Sequence, residues 1–244
     1  MFPMKFSMKI LAPLFFLPLF AVFFSCSAGI DGVVREGGAA DISLKTSLAP
    51  RTQALIRSLR GFMGGGDDSP ILDGPAMAKS LAAAPGVRTI SLKNTGSSSL
   101  EGNLSLSNVG NFLSAEAAKS RFITYAEGQG AGASSINIAL DRNSAPDVIS
   151  RLAPEIEDYL SALMAPVVTG ETSTTQEYLD LVASVYSRAL ADEIAAARIR
   201  LSIEFPRAVT AVQGGTASGK RAEFEVPLVD ILVLEHPLLY VVSW

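Results

Sequence analysis

Residue types that build most compact chemical sites are scarce in this chain of 244 residues, which holds one cysteine, one histidine and one tryptophan. With Cys26 alone, no disulfide can form within the chain, so stability must come from a packed core, which this length can supply. One cysteine and one histidine also fall short of a structural zinc site and of the usual catalytic one. No metal or other cofactor is expected. A Ser-His-Asp triad would have to use His236, and no Gly-x-Ser-x-Gly elbow supplies a matching nucleophile. A basic stripe is lacking too. Only Lys5 and Lys9 of the 20 basic residues precede Cys26, and all 24 acidic residues follow it, so the chain from Cys26 onward carries a net charge of −6. That balance argues against a nucleic-acid partner and against electrostatic adhesion to an anionic bilayer.

What is present begins at the N-terminus. The apolar run Ile10 to Phe24 follows Lys5 and Lys9 and ends at small residues, Ser25, Ser27, Ala28 and Gly29. A basic start, a short apolar core and a small-residue boundary form a secretory signal peptide. The run is shorter than the about 20 residues of a membrane-crossing helix. Cys26 stands at the boundary, where the lipobox of bacterial lipoproteins places the thiol that is acylated and becomes the new N-terminus. Phe23, Phe24 and Ser25 precede it, so the pattern resembles a relaxed lipobox of the spirochaete type. Ser27 in place of Asp resembles the outer-membrane sorting signal of such lipoproteins. The expected organisation is a signal peptide over residues 1–25, a lipidated Cys26 with a flexible tether over 26–38, and a single α+β domain over 39–244. The expected location is the cell envelope, with palmitate-type chains holding the protein to the outer membrane or to the periplasmic face.

The tether is expected from SAGIDGVVREGG, which is small and Gly-rich. Alternation from Ala39 to Lys45 predicts a half-buried strand. Ala49 to Phe62 has helical spacing, and the segment 63–69 reads as a break. Asp73 and Pro75 open a second helix. A hairpin follows over 87–109 with its turn at Asn94 to Ser97, then a helix over Asn111 to Lys119 and strands over Phe122 to Ala126 and Ser135 to Leu140. Residues 144–164 predict a helix kinked at Pro154. Thr174 and Glu177 form a capping box opening one long helix to Ala197, with the apolar stripe Tyr178, Leu181, Val182, Val185, Ala189, Leu190 and Ile194. The C-terminus reads as strands throughout, including the apolar run Leu228 to Leu234. Helices grouped between sets of alternating strands predict an α+β fold, a curved antiparallel sheet packed against several helices.

Three motif look-alikes resolve into ordinary structure. Gly214 to Lys220 matches the Gly-x4-Gly-Lys part of a phosphate-binding loop, but Arg221 replaces the metal-binding hydroxyl and a strand rather than a helix follows. A hairpin turn is predicted there. Gly128, Gly130 and Gly132 are one residue short of a dinucleotide fingerprint and precede a strand. Asp67, Asp68 and Asp73 lack the spacing of a calcium loop, and Glu155, Glu157 and Asp158 read as solvated charge on the kinked helix. His236, between Glu235 and Pro237, reads as a turn residue.

The C-terminal segment, with Phe205-Pro206, Ala208 to Gln213, the Gly214-Gly215 turn, Phe224 to Leu228 and the final Tyr240 to Trp244, resembles the LppM-type bacterial lipoproteins, as does the strand Ala39 to Lys45 beyond the cysteine. The resemblance implies an α+β domain with a curved antiparallel sheet, an apolar interior and association with envelope lipids. It carries over no catalytic residue. The expected function is non-enzymatic: a membrane-anchored lipoprotein that binds an apolar or lipid-like ligand, or an envelope protein partner. The alternative is a structural or assembly subunit of an envelope complex.

Overall fold

The computed structural model describes residues 27–62, 70–119, 122–128, 132–145 and 170–244. Among them lie two sheets and six α-helices, the α+β class expected. The chain opens with β1 (Ser27–Val34), a single 3-10 turn (Glu36–Gly38) and β2 (Ala40–Ser47), followed by α1 (Pro50–Phe62) and α2 (Gly74–Ala82). Then come β3 (Val87–Gly96), β4 (Ser99–Leu106), α3 (Val109–Lys119), β5 (Ile123–Ala126) and β6 (Ser135–Leu140). The C-terminal part is α4 (Thr175–Val185), α5 (Arg188–Ala196), β7 (Arg198–Glu204), β8 (Ala211–Gln213), β9 (Gly215–Ser218), β10 (Arg221–Pro227), α6 (Leu228–Val233) and β11 (Leu238–Ser243).

The larger sheet runs in the order β3-β4-β2-β1-β7-β10-β9 and the smaller one β5-β6-β11-β8. All pairs are antiparallel except β1 with β7. That parallel pair is a correction to a purely antiparallel sheet, and it joins the first strand to one about 170 residues later in the chain.

Strand β1 also corrects the tether. Residues 27–34 are paired with β2 and residues 27–33 with β7, with Ser27 opposite Ser47 and Arg198 and Val34 opposite Ala40. Small residues there do not signal looseness. Ile30 and Val34 face the interior, and Gly32 lies between Ile42 and Ile203, leaving space that a side chain would otherwise fill. Residues 27–38, expected as a tether, therefore already belong to folded structure.

Two further elements differ from expectation. The predicted single helix from Thr174 to Ala197 is two, because Ser187 breaks it: its hydroxyl accepts the Leu190 N–H and caps α5. The capping box at Thr174 and Glu177 is present as predicted. The run Leu228 to Leu234 is a helix, not a strand. Continuous apolar sequence does not distinguish the two, and Pro227 ends β10 while the Leu228 N–H donates to Ala197 O. Leu234 closes α6 in a left-handed conformation, φ 46°. Arg142 fixes this end by donating to the carbonyls of Val233, Leu234 and Glu171. The helix expected over 144–164 lies outside the described residues beyond Ala145.

Among the described residues two large apolar cores and one small cluster, around Ala49 and Ala197, result. Leu55 of α1, Tyr178 and Val182 of α4, Leu190 and Ile194 of α5, and Val229, Leu232 and Val233 of α6 bury one another. The second core lies between the sheets, around Val34, Leu106, Phe205, Ala222, Phe224, Val242 and Trp244. Phe205 and Trp244 stack there with ring centroids 4.4 Å apart. The chain crosses from the small sheet to the large one at Gly214, φ 76°, where a Cβ would lie 2.6 Å from Leu239 O. Only glycine fits that corner.

A polar contact also joins α1 to α5. The Glu193 carboxylate accepts the Arg51 and Thr52 N–H groups at 3.1 Å, supplying from a neighbouring helix the cap that α1 lacks in its own sequence. Orphan N–H groups at a helix start need such an acceptor. Glu193→Ala is expected to lower stability by about 1–2 kcal/mol, read as a reduced midpoint in urea with an unchanged slope.

Candidate functional site

The inner faces of the two sheets do not meet completely. Between them lies a cavity of about 300 Å³ whose walls expose no polar atom. One wall comes from β1, β2, β7 and β10 through Ile30, Gly32, Ile42, Leu201, Ile203 and Phe224. The other comes from β6 and β11 through Ile136, Ile138, Leu238 and Tyr240, and α3 adds Val109, Phe112 and Leu113. Among the described residues of α1, α4, α5 and α6, Ile231 alone lines it, so the space lies mainly between the two sheets, with α3 at its side.

Alternation builds the wall. In β10, Ala222, Phe224 and Val226 point inward while Arg221, Glu223 and Glu225 are exposed. Period-two patterning puts one set on one face. Gly32 is the exception in β1. A Cβ at this position would touch Ile203 and Ile42 at 3.7–3.8 Å, an ordinary packing distance, so the glycine is not required by the backbone and instead leaves volume.

Tyr240 is in the lining, whereas Asp230 and Tyr125 are not. Burial, then the charge of Asp230, raises the Tyr240 phenol above its usual value. Burial raises the Asp230 carboxyl, opposed by Arg198 and assisted by Glu235. Burial first and Glu127 second raise Tyr125. A neutral phenol at the edge of an apolar space is what desolvation favours. On the opposite, outer face of the large sheet the charges are paired: Arg200 donates to Glu225 at 2.9 Å and Arg221 to Glu204 at 3.1 Å. Hydrogen bonding by Arg200 is the main cause that holds Glu225 below the ordinary carboxylate range.

The residues singled out from sequence are not brought together. Cys26 lies outside the described residues, one position before β1. Lys220 sits in the exposed β9–β10 turn, with Gly219 at φ 59°, so the phosphate-loop look-alike is part of a hairpin, though the turn is confined to Gly219–Lys220 and Gly215–Ser218, expected as turn, form β9. His236 is exposed between α6 and β11, its Nε2 3.8 Å from Glu235 Oε1. Asp73 caps α2 by accepting the Ala76 N–H at 2.9 Å. Gly128 donates its N–H to Ser134 Oγ at 3.1 Å. Asp67, Asp68, Gly130, Glu155, Glu157 and Asp158 lie outside the described residues. Among the described residues no group of three or more His, Cys, Asp or Glu is placed to hold a metal ion, and no helix is long and apolar enough to cross a membrane.

The cavity-lining residues are individually readable in the sequence as inward positions of strands. That they enclose a space is not, because the enclosing pairs lie far apart in sequence. The visible trace is Gly32 between Ile30 and Val34.

No protein-family model and no curated protein matches this chain. Among solved structures, the NMR structure of the folded domain of LppM from Mycobacterium tuberculosis is similar, with 9% identity over 90% of this chain and 89% of that one and a TM-score of 0.42.

Proposed function

We propose that this protein is a non-enzymatic lipoprotein of the cell envelope, anchored through acyl chains on Cys26, which holds an apolar or lipid-like ligand between its two sheets. The apolar cavity of about 300 Å³ carries the reading. That volume is at the lower end of small-molecule sites, which span about 300–1,000 Å³. Such sites ordinarily include a few polar anchors, and these walls expose none. The fitting ligand is therefore a chain or ring system without hydrogen-bonding groups along the part that enters, with any polar end left outside. Each buried methylene contributes about 0.8 kcal/mol, so a modest length of chain supplies useful affinity without one directed contact.

Native mass spectrometry of the full-length protein, extracted in mild detergent from its own membrane, tests this reading. One retained lipid mass per chain, beyond the mass of the acylated N-terminus, is expected. Protein at its acylated mass alone would count against ligand binding. The anchor has its own test: Cys26→Ser is expected to abolish incorporation of labelled palmitate and to leave the precursor uncleaved. Persistent labelling of that variant would remove Cys26 from the account.

The assembly reading has one observation in its favour. Leu181, Val185 and Tyr186 along and just beyond α4 are each at least half exposed, an apolar group on the helical layer away from the cavity. Co-extraction of a stoichiometric envelope protein, lost on Leu181→Ser with Val185→Ser, would favour it.

A further inference from the structure

The spacing between the acylation site and the folded core fixes how the domain stands on a bilayer. Lipidated cysteines precede a folded domain by a stretch of chain whose length decides how far and how freely that domain moves. Here the stretch has no length. Ser27 is the first residue of β1, and β1 is paired from its first residue to its last with β2 on one side and from Ser27 to Val33 with β7 on the other. Consecutive Cα atoms are about 3.8 Å apart, so Cys26 adds a single link. No slack can be recruited from residues 27–34 without parting the middle of the seven-stranded sheet.

We infer that the protein is mounted on the membrane surface by the end of this sheet, without a stalk. The reading rests on acylation at Cys26. The row of residues at that end is Ser99, Ser47, Ser27, Arg198 and Pro227, in strands that there lead into α1 and α6 and out of α5; Arg198 is paired with Glu225 at 3.7 Å, and the Glu193 carboxylate stands at the start of α1. The Ser97–Ser98 turn lies at the same end, where the Leu48 N–H donates to Ser98 O at 3.0 Å. The loop Arg35 to Ala39 and the Gly219–Lys220 turn lie at the opposite end.

The mount also sets the position of the cavity. At about 3.3 Å per residue, Ile30, the first β1 residue to line it, is about 10 Å from Ser27, and Val34, the last, about 23 Å. The cavity thus runs outward along β1, its near end closer to the bilayer than a headgroup layer and a half-membrane are thick. A lipid chain leaving the surface has only that short distance to travel.

Fluorescence transfer from a protein probe to acceptor lipids reads this geometry. The acylated protein is reconstituted in phosphatidylcholine–phosphatidylglycerol vesicles after Ser97→Cys, Glu36→Cys or Lys220→Cys, each exposed. Acylation blocks Cys26, the only native cysteine, so the new thiol alone is labelled. The Ser97 probe is expected to lie about 20 Å closer to the membrane than either distal probe. Inserting about 12 Gly and Ser residues between Cys26 and Ser27 adds a flexible reach of about 20 Å, and the difference between positions should then collapse. Acylated protein with equal transfer from all three positions before the insertion would overturn the mount and leave the lipoprotein reading standing. A mass spectrum showing unacylated Cys26 in the mature protein would overturn both.

Discussion

Phe205→Ala is expected to lower the stability of this protein by about 3–5 kcal/mol, the range for truncating a fully buried ring. Phe205 is 1 % exposed at the end of β7 and stacks on Trp244 at 4.4 Å with an interplanar angle of 29°. The variant loses the transfer energy of the ring, leaves a void beside an existing one, and forfeits an aromatic contact worth about 0.5–1.5 kcal/mol beyond its area. Against a total of about 5–15 kcal/mol, that shifts the unfolding midpoint well outside error. Phe224→Ala should fall near the lower end of the range, because Phe224 is 8 % exposed and keeps only an edge contact with Tyr240, at 6.0 Å. Tyr186→Ala serves as the control. Its ring is half exposed, and surface changes of this kind stay within about 0.5 kcal/mol. Equal losses for Phe205 and Tyr186 would mean that the space between the sheets is not a core.

Gly32→Leu is expected to abolish ligand retention while leaving the fold intact or firmer. The position points into the cavity, and its Cβ meets Ile203 and Ile42 at ordinary distances, so the first carbon enters without strain. The remaining carbons occupy the space assigned to ligand. Replacing a strand glycine also narrows the unfolded ensemble, a gain of about 0.4–1 kcal/mol where the native conformation suits the new residue. Gly32 has no positive φ to forbid it. Loss of bound lipid together with an unchanged or raised melting temperature is a combination that general destabilisation cannot produce. Lipid retained at the parental level would show that it binds elsewhere.

The strands are legible in the sequence wherever one face is wet. In β10, Arg221, Glu223 and Glu225 alternate with Ala222, Phe224 and Val226, and the structure buries the second set alone. The same rule fails where both faces are covered or where side chains are small. β1 reads as a tether because Ala28, Gly29 and Gly32 have linker composition, yet its neighbours on both sides supply the missing order through backbone pairing. Leu228 to Leu234 carries no polar alternation, so its sequence does not separate strand from helix. The outcome rests on its packing against α4 and α5. Ser187 reads as a polar interruption in a helical stripe, and only its geometry shows that it caps a new helix. The cavity is the least legible feature. It depends on β1, β7 and β10 facing β6 and β11 across a gap, a long-range relation with no local signature.

The central claim is that an acyl chain enters the space between the sheets, and Trp244 reports it directly. It is the only tryptophan in the chain, is 4 % exposed, and stacks on Phe205, which lines the cavity. Fatty acid brominated along its chain, titrated into the full-length protein, is predicted to quench Trp244 emission saturably at one equivalent. Gly32→Leu should abolish that quenching while its emission maximum stays where it was. Absence of quenching in the parent protein, or equal quenching in the Gly32→Leu variant, would contradict the claim.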